Sequence, residues 1–137
     1  MKALPAGYRR MEKLSPFNAL VGPLYARRGK GKFSIGMRIE AKHANSRGIC
    51  HGGVLATLAD LSLGYAMLAH RSARRGFVTA HLAIDFAGSA GPGDWIASEV
   101  EIQRIGTRLA FANCYLVANG KRIVRASAIF AHAQKRV

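Results

Sequence analysis

One apolar stretch, residues 51–70 with the sequence HGGVLATLADLSLGYAMLAH, constrains the fold more than any other part of the chain. Drawn as a helix, it is apolar on nearly every face, and such a helix is normally covered by other structure because exposed hydrocarbon is unfavourable in water. Its single carboxylate, Asp60, is therefore expected to be buried or at an interface. Carboxylates kept in such places are frequent at sites of chemistry. The alternative is a structural Asp60 that binds a neighbouring backbone group or an arginine.

Two glycines, Gly52 and Gly53, follow His51 at the predicted start of this helix. Each glycine lowers helix propensity by up to about 1 kcal/mol relative to alanine, so helix formation alone does not favour them. The first turn of a helix presents unpaired N–H groups, and a residue without a side chain lets a ligand oxygen approach them. This combination is typical of an oxyanion hole. A tight entry turn into the helix is the simpler explanation of the same glycines.

The spacing between Gly52 and Asp60 has a consequence for any site that uses both residues. They are eight positions apart in the sequence, which is about 12 Å along a helix that rises about 1.5 Å per residue. A single carbonyl group cannot contact both residues of one helix. If both serve one site, Asp60 comes from a second copy of the chain, and a twofold homodimer then contains two equal sites.

The residues around this helix start resemble a known family. The segment NSRGICHGG at 45–53, followed by Asp60 nine residues after His51, is similar to the signature of the hotdog-fold acyl-CoA thioesterases of the PaaI type. Weaker similarity continues in FVTAHLAIDF at 77–86, GPGD at 91–94 and RIGTRLAF at 104–111. The resemblance covers most of the chain from about Phe33. It implies a hotdog fold, in which a mostly antiparallel sheet wraps around one long central helix, and a homodimer that often pairs again into a tetramer.

The resemblance also implies a role for individual residues. The Gly52 N–H polarises the thioester carbonyl with help from Asn45, and Asp60 of the partner subunit acts as general base or as nucleophile. The sequence leaves these two mechanisms open. His51 orients the loop or the thioester end, and Thr79 matches a position where a small hydroxyl residue helps to hold the nucleophilic water.

Two further positions are implied to contact the substrate, Gly53 and His81. His81 departs from the acidic residue that is often found in the family at its position, and Asp85 stands where asparagine is common. Contacts around the acyl group are therefore expected to differ from those of the family.

Length and residue pattern predict one domain, residues 1–137, of the α+β class. The chain has 137 residues, half of them apolar, which suits a single globular domain. Alternating residues predict a first strand at 32–41, and the long helix is followed by strand candidates at 78–86, 95–104, 109–117 and 122–131. Asn119-Gly120 predicts a tight hairpin turn between the last two strands. A mostly antiparallel sheet that covers one helix is an α+β arrangement.

The location is expected to be cytoplasmic. The apolar stretch is shorter than the roughly 20 residues of a membrane span and is interrupted by Asp60. The first residues, Met1 to Pro5, lack an apolar core long enough for a secretory signal.

The chain is strongly basic, with 21 Lys and Arg residues against seven Asp and Glu residues and a formal net charge of +14. Such a charge attracts polyanions, including nucleic acid and the phosphates of coenzyme A. The basic residues are scattered, and neither a helix-turn-helix, a zinc-ligand spacing nor an aromatic RNA-binding motif accompanies them. The sequence therefore argues against nucleic acid as the partner.

Other site chemistries find less support. His43, His51, His81 and Asp60 match no closed zinc pattern, and neither phosphate-loop nor dinucleotide motifs occur, so no metal or redox cofactor is expected. Two cysteines, Cys50 and Cys114, are too few for a disulfide framework. A nucleophilic Cys50 ahead of the helix start stays a secondary possibility.

The sequence thus predicts a homo-oligomeric acyl-CoA thioesterase that releases a free acid and coenzyme A. The alternative is a non-catalytic hotdog module that binds acyl-CoA or another polyanion, in which Asp60 is structural.

Overall fold

The computed structural model describes residues 2–29, 32–70 and 76–132. Within these ranges, seven strands form one antiparallel sheet that packs against one long helix. The strands are β1 (Arg9–Arg10), β2 (Tyr25–Gly29), β3 (Lys32–Arg38), β4 (Phe77–Phe86), β5 (Trp95–Ile105), β6 (Leu109–Ala118) and β7 (Lys121–His132). The helices are α1 (Pro16–Val21), a 3₁₀ turn (Ala41–His43) and α2 (Gly52–Ala69). The strand order is β1-β2-β3-β5-β6-β7-β4. The predicted α+β arrangement is confirmed.

Helix α2 lies against one face of this sheet, which we call the inner face. Its buried side chains recur every three or four residues, so that one side of the helix faces the sheet. They are Leu55, Leu58, Ala59, Ser62, Leu63, Ala66 and Met67. Strands β3, β5, β6 and β7 supply the other half of the core through residues that alternate along each strand, including Ile35, Met37, Ile96, Leu116 and Phe130.

The opposite side of α2 is open in the single chain. In the part of the chain that the structure describes, a Cβ added to Gly64 would have nothing within 4 Å, and Leu68 is 62% exposed. One copy of the chain therefore covers α2 only in part, and its cover by a second copy stays a prediction. Its 18 residues, with a mean hydropathy of 1.4, are enough by length and composition to cross a membrane, contrary to the argument from length. The apolar contacts with the sheet explain this composition equally well.

Strands β1 and β2 are absent from the sequence prediction. The sequence of β2, YARRG, has no apolar alternation, and its strand conformation comes from pairing with β3. The predicted strand at 32–41 ends at Arg38, because Ala41 already begins the 3₁₀ turn. The turn at Asn119-Gly120 is confirmed, since both residues have positive φ angles, 52° and 74°.

The face of the sheet directed away from α2, which we call the outer face, is polar over its centre. Asp85 of β4 lies opposite Arg125 of β7, and their side chains form an ion pair at 2.9 Å. An open groove of about 740 Å³ runs across this face and is lined by both residues. Asp85 is thus part of a surface that lies on the other side of the sheet from α2.

Gly36 is required where β3 passes under Trp95. A Cβ on Gly36 would lie 2.1 Å from Trp95 Cζ2, whereas a Cβ on Gly29 of β2 would have nothing within 4 Å among the described residues. We expect Gly36→Ala to lower the free energy of unfolding by about 1–3 kcal/mol through overpacking. Gly29→Ala should change it by less than about 0.5 kcal/mol. Urea denaturation of both variants measures this, and equal midpoints would contradict the contact.

Candidate active site

His51 forms the N-terminal cap of α2. Its Nδ1 accepts a hydrogen bond from the Gly53 N–H at 2.8 Å, and its carbonyl oxygen accepts from Val54 at 2.9 Å and from Leu55 at 3.2 Å. Three of the first four N–H groups of the helix are thereby satisfied. The remaining one, that of Gly52, donates to no acceptor in the part of the chain that the structure describes. The start of α2 thus leaves one backbone donor available to a ligand oxygen.

A steric reason applies to Gly53 but not to Gly52. A Cβ on Gly53 would lie 3.0 Å from His51 Nδ1 and would push the imidazole away from the N–H that it caps. A Cβ on Gly52 would lie 3.6 Å from the ring of Phe86, which is ordinary van der Waals contact. Gly53 therefore keeps the cap in place, and the Phe86 ring lies beside Gly52.

Asn45 stabilises the turn that precedes α2. Its Oδ1 accepts hydrogen bonds from the backbone N–H groups of Arg47 at 2.9 Å and Ile49 at 3.3 Å. Because the oxygen is used in this way, the group that Asn45 can offer to a ligand is its Nδ2, a donor. Nδ2 has no acceptor among the described residues. The geometry is compatible with assistance to a carbonyl group, but the contacts seen are those of a turn.

A buried histidine anchors the same turn. His43 is 2% exposed; its Nδ1 accepts from the Glu40 N–H, and its Nε2 bonds to the Val21 carbonyl at the end of α1. Its own carbonyl accepts the N–H of His51 at 2.8 Å. His43, which the sequence offered only as a metal ligand to be rejected, positions the cap of α2.

Asp60 and Thr79 meet across the contact between α2 and β4. Thr79 Oγ1 donates a hydrogen bond of 2.9 Å to Asp60 Oδ1. Asp60 is half-buried in the single chain, and its place at an interface stays a prediction. Within residues 2–29, 32–70 and 76–132 the carboxylate contacts no arginine, and both ion pairs found there, Arg122–Glu99 and Arg125–Asp85, involve other acids. The second oxygen of Asp60 is available to water or a ligand.

His81 lies apart from these residues. The pairing of β4 with β7 shifts between Thr79 and His81, which leaves Ala80 as an extra residue. Thr79 is opposite Phe130 of the core, whereas His81 is opposite Ile129, in line with Ala83 and Asp85 of the outer face. One chain thus brings Asp60 to Thr79 and gathers Asn45, His51, Gly52 and Gly53 at the start of α2, but it places His81 on the other face.

Comparison with known proteins supplies the family. The family model of the thioesterase superfamily matches residues 47–124, which contain the start of α2, Asp60 and Thr79. A Pseudomonas aeruginosa protein, provisionally named an esterase, is 37% identical over 131 residues, covering 95% of this chain and 98% of the relative. The chain belongs to the thioesterase superfamily. Human acyl-coenzyme A thioesterase 13 is 30% identical over 118 residues, 84% of either protein.

Solved structures give the same fold. Zebrafish thioesterase superfamily member 2 superposes with a TM-score of 0.79 at 27% identity, covering 87% of this chain and 88% of its own. The Escherichia coli PaaI protein superposes with a TM-score of 0.69 at 23% identity, covering 77% and 75%. A Streptococcus pneumoniae protein described as a hypothetical thioesterase with coenzyme A has a TM-score of 0.73 at 18% identity, covering 83% and 91%. The chain therefore has the hotdog fold, as predicted.

Neither cysteine of this thioesterase is suited to be a nucleophile. Cys50 is 4% exposed, and burial raises the pKa of its thiol to about 11. Burial and then the charge of Glu99 raise the pKa of Cys114 to about 12. Both groups therefore stay protonated at neutral pH, and thiolate is the reactive form. The described residues also contain no group of three or more His, Cys, Asp or Glu side chains arranged to hold a metal ion.

Alkylation tests the exclusion of Cys50. Because pH 8 lies about three units below the pKa of about 11 of Cys50 and further below that of Cys114, little thiolate is present, and we expect iodoacetamide at pH 8 to modify neither cysteine of the folded protein within minutes, as followed by mass spectrometry. The same reagent should label both cysteines in 6 M guanidinium chloride. Rapid labelling of Cys50 in the folded protein, accompanied by loss of thioester hydrolysis, would contradict this assignment.

Proposed function

We propose that this protein is a homodimeric acyl-CoA thioesterase in which each active site combines Gly52 of one subunit with Asp60 of the other. Two observations on one helix carry the proposal. Among the described residues, the Gly52 N–H has no acceptor, and the half-buried Asp60 is bound only by the Thr79 hydroxyl. A donor for an oxyanion and a carboxylate that can act on water are the two groups that thioester hydrolysis needs.

The proposed reaction uses these groups in one sequence. The Gly52 N–H, assisted by Asn45 Nδ2, binds the thioester oxygen, which becomes negatively charged as water attacks the carbonyl carbon. Asp60 of the partner subunit removes a proton from that water, and Thr79 holds the carboxylate in place. The C–S bond then breaks, the thiolate takes up the proton, and a free acid and coenzyme A leave. In the alternative course Asp60 attacks the carbonyl directly, and water hydrolyses the resulting anhydride.

Two open surfaces support the dimer. Strand β4 is an end strand of the sheet and ten residues long, and a free edge of that length is normally covered. The uncovered side of α2 carries Asp60 and Gly64, so a second helix placed there would bring another start of α2 towards Asp60. Pairing of β4 with the same strand of a second copy would close both surfaces at once. A further pairing of two dimers, and a cytoplasmic location, are part of the proposal.

Coenzyme A as the leaving group has two lines of support. One is the name of the human relative, an acyl-coenzyme A thioesterase, together with the coenzyme A in the Streptococcus pneumoniae structure. The other is the net charge of +14, which suits a substrate with several phosphates. The same charge is what favours the alternative, a non-catalytic module that binds acyl-CoA or another polyanion.

A pair of aspartate variants separates these two functions. We expect Asp60→Asn to lower kcat by about 10²–10⁴-fold, because the amide keeps the shape but cannot accept the proton, without changing the denaturation midpoint by much. Asp85→Asn on the outer face is the matched control and should keep full activity. Free thiol release from a panel of acyl-CoAs measures both. Binding of acyl-CoA without turnover by the wild type would favour the module.

The Gly52 N–H can be removed with little change elsewhere. Proline is favoured at the first position of a helix, and His51, with φ −61° and ψ 136°, already has the conformation that precedes proline. We expect Gly52→Pro to fold and to lose about 10²–10³-fold in kcat, since one oxyanion donor is gone. Gly52→Ala keeps the N–H and should lose far less. Equal activities of the two variants would remove Gly52 from the mechanism.

Mixed dimers test the origin of Asp60. In a dimer of one Asp60→Asn subunit and one Gly52→Pro subunit, a shared site leaves one complete pair and one pair with both defects. We therefore expect such dimers, co-expressed with two different tags and purified through both, to have about half the wild-type activity. If each site lay within one chain, every site would be defective and the mixed dimer would be as inactive as its parents.

A further inference from the structure

The proposed reaction assigns no role to Phe86, although its ring lies next to Gly52. Phe86 ends β4, and its Cε1 and Cζ atoms lie 3.6 Å from the position of a Cβ on Gly52. The side chain is 55% exposed, although large apolar side chains are usually covered. The half-exposed ring therefore lies next to Gly52, the residue whose N–H binds the thioester oxygen in the proposed reaction.

The inner face of β4 continues this apolar wall. Leu82 and Ile84 alternate with outer-face residues and are half-buried against the core. They lie between Phe86, next to Gly52, and Thr79, next to Asp60. Hydrocarbon thus lines the side of α2 that faces β4, from the start of the helix to its carboxylate.

The two arms of a thioester differ in what they need from the protein. The coenzyme A arm is long, polar and anionic, whereas the acyl arm of an uncharged thioester is hydrocarbon. The turn before α2 carries an exposed cation, Arg47. The inner face of β4 carries no basic residue between Thr79 and Phe86, since His81 lies on the outer face. The hydrocarbon arm therefore fits the β4 side.

We propose that Phe86 is a specificity-determining residue that contacts the first carbons of the acyl group and selects uncharged hydrocarbon acyl groups of several carbons over acetyl. This inference rests on the proposed thioesterase function and adds the substrate class to it. An acetyl group ends within one carbon of the carbonyl and gains little from the ring, whereas a hexanoyl chain lies along it. Burial of several methylene groups then favours the longer chain.

Steady-state kinetics with hexanoyl-CoA and acetyl-CoA test the selection. Phe86→Ala should lower kcat/KM for hexanoyl-CoA by about tenfold or more, mainly through KM, and should change that for acetyl-CoA by less than about twofold. Phe86→Leu, which keeps an apolar side chain, should recover most of the hexanoyl-CoA activity. Val78→Ala is the control, because Val78 lies on the same strand with nearly the same exposure, 54%, but on the outer face. Equal losses for both substrates, or no loss for either, would overturn the proposal.

A binding experiment separates this proposal from the proposed function. In S-(2-oxoheptyl)-CoA and S-(2-oxopropyl)-CoA a methylene group between sulfur and carbonyl prevents hydrolysis, and the two differ only in chain length. By calorimetry, the wild type should bind the heptyl compound at least tenfold more tightly than the propyl compound, and Phe86→Ala should remove most of that ratio. If the wild type hydrolyses no thioester but this ratio depends on Phe86, the function fails and the acyl contact stands. If the ratio is the same in both proteins, the contact is refuted even in an active enzyme.

Discussion

The one-sided burial of α2 is the constraint on which the rest of the structure depends. A helix of this composition needs apolar surroundings, and the sheet of its own chain supplies them only along the stripe that includes Leu58 and Leu63. The other side carries the half-buried Asp60 and the uncovered Gly64, and it lies next to β4, an end strand of the sheet. The single chain thus forms a core but leaves one side of α2 and the edge of β4 uncovered.

The start of the same helix shows how a backbone donor is kept available. A free N–H at a helix start normally finds water or a side-chain cap. Here the cap is a histidine, and it binds the second N–H of the helix rather than the first. Its own position is held by the buried His43 behind it. The cap thus leaves the Gly52 N–H without an acceptor among the described residues, and this is the donor that the proposed reaction uses.

Much of this could be predicted from the sequence, because the strongest signals are local. Local residues determine the conformation of α2, of β3 and of the turn at Asn119-Gly120. The two glycines after His51 likewise indicate the helix start at which the Gly52 N–H lies. Strand β2 could not be predicted, since its conformation comes from a neighbour and not from its own residues. The open side of α2 in one chain agrees with the expected interface at Asp60, but hydrophobicity alone does not identify the molecule that covers it. The role proposed for Phe86 could not be predicted from the sequence, since it depends on how close its ring lies to Gly52 in the folded chain.

The extra residue Ala80 in β4 has a consequence of its own. In an uninterrupted strand residues two apart face the same way, so Thr79 would share the orientation of His81, Ala83 and Asp85 and would turn its hydroxyl away from α2. The added backbone unit reverses the orientation of everything before it, which delivers that hydroxyl to Asp60. The number of residues in this strand, more than their chemical character, therefore sets the contact. A related chain could vary the outer-face residues of β4, yet the loss of the irregularity without a compensating shift would separate the Thr79 hydroxyl from Asp60.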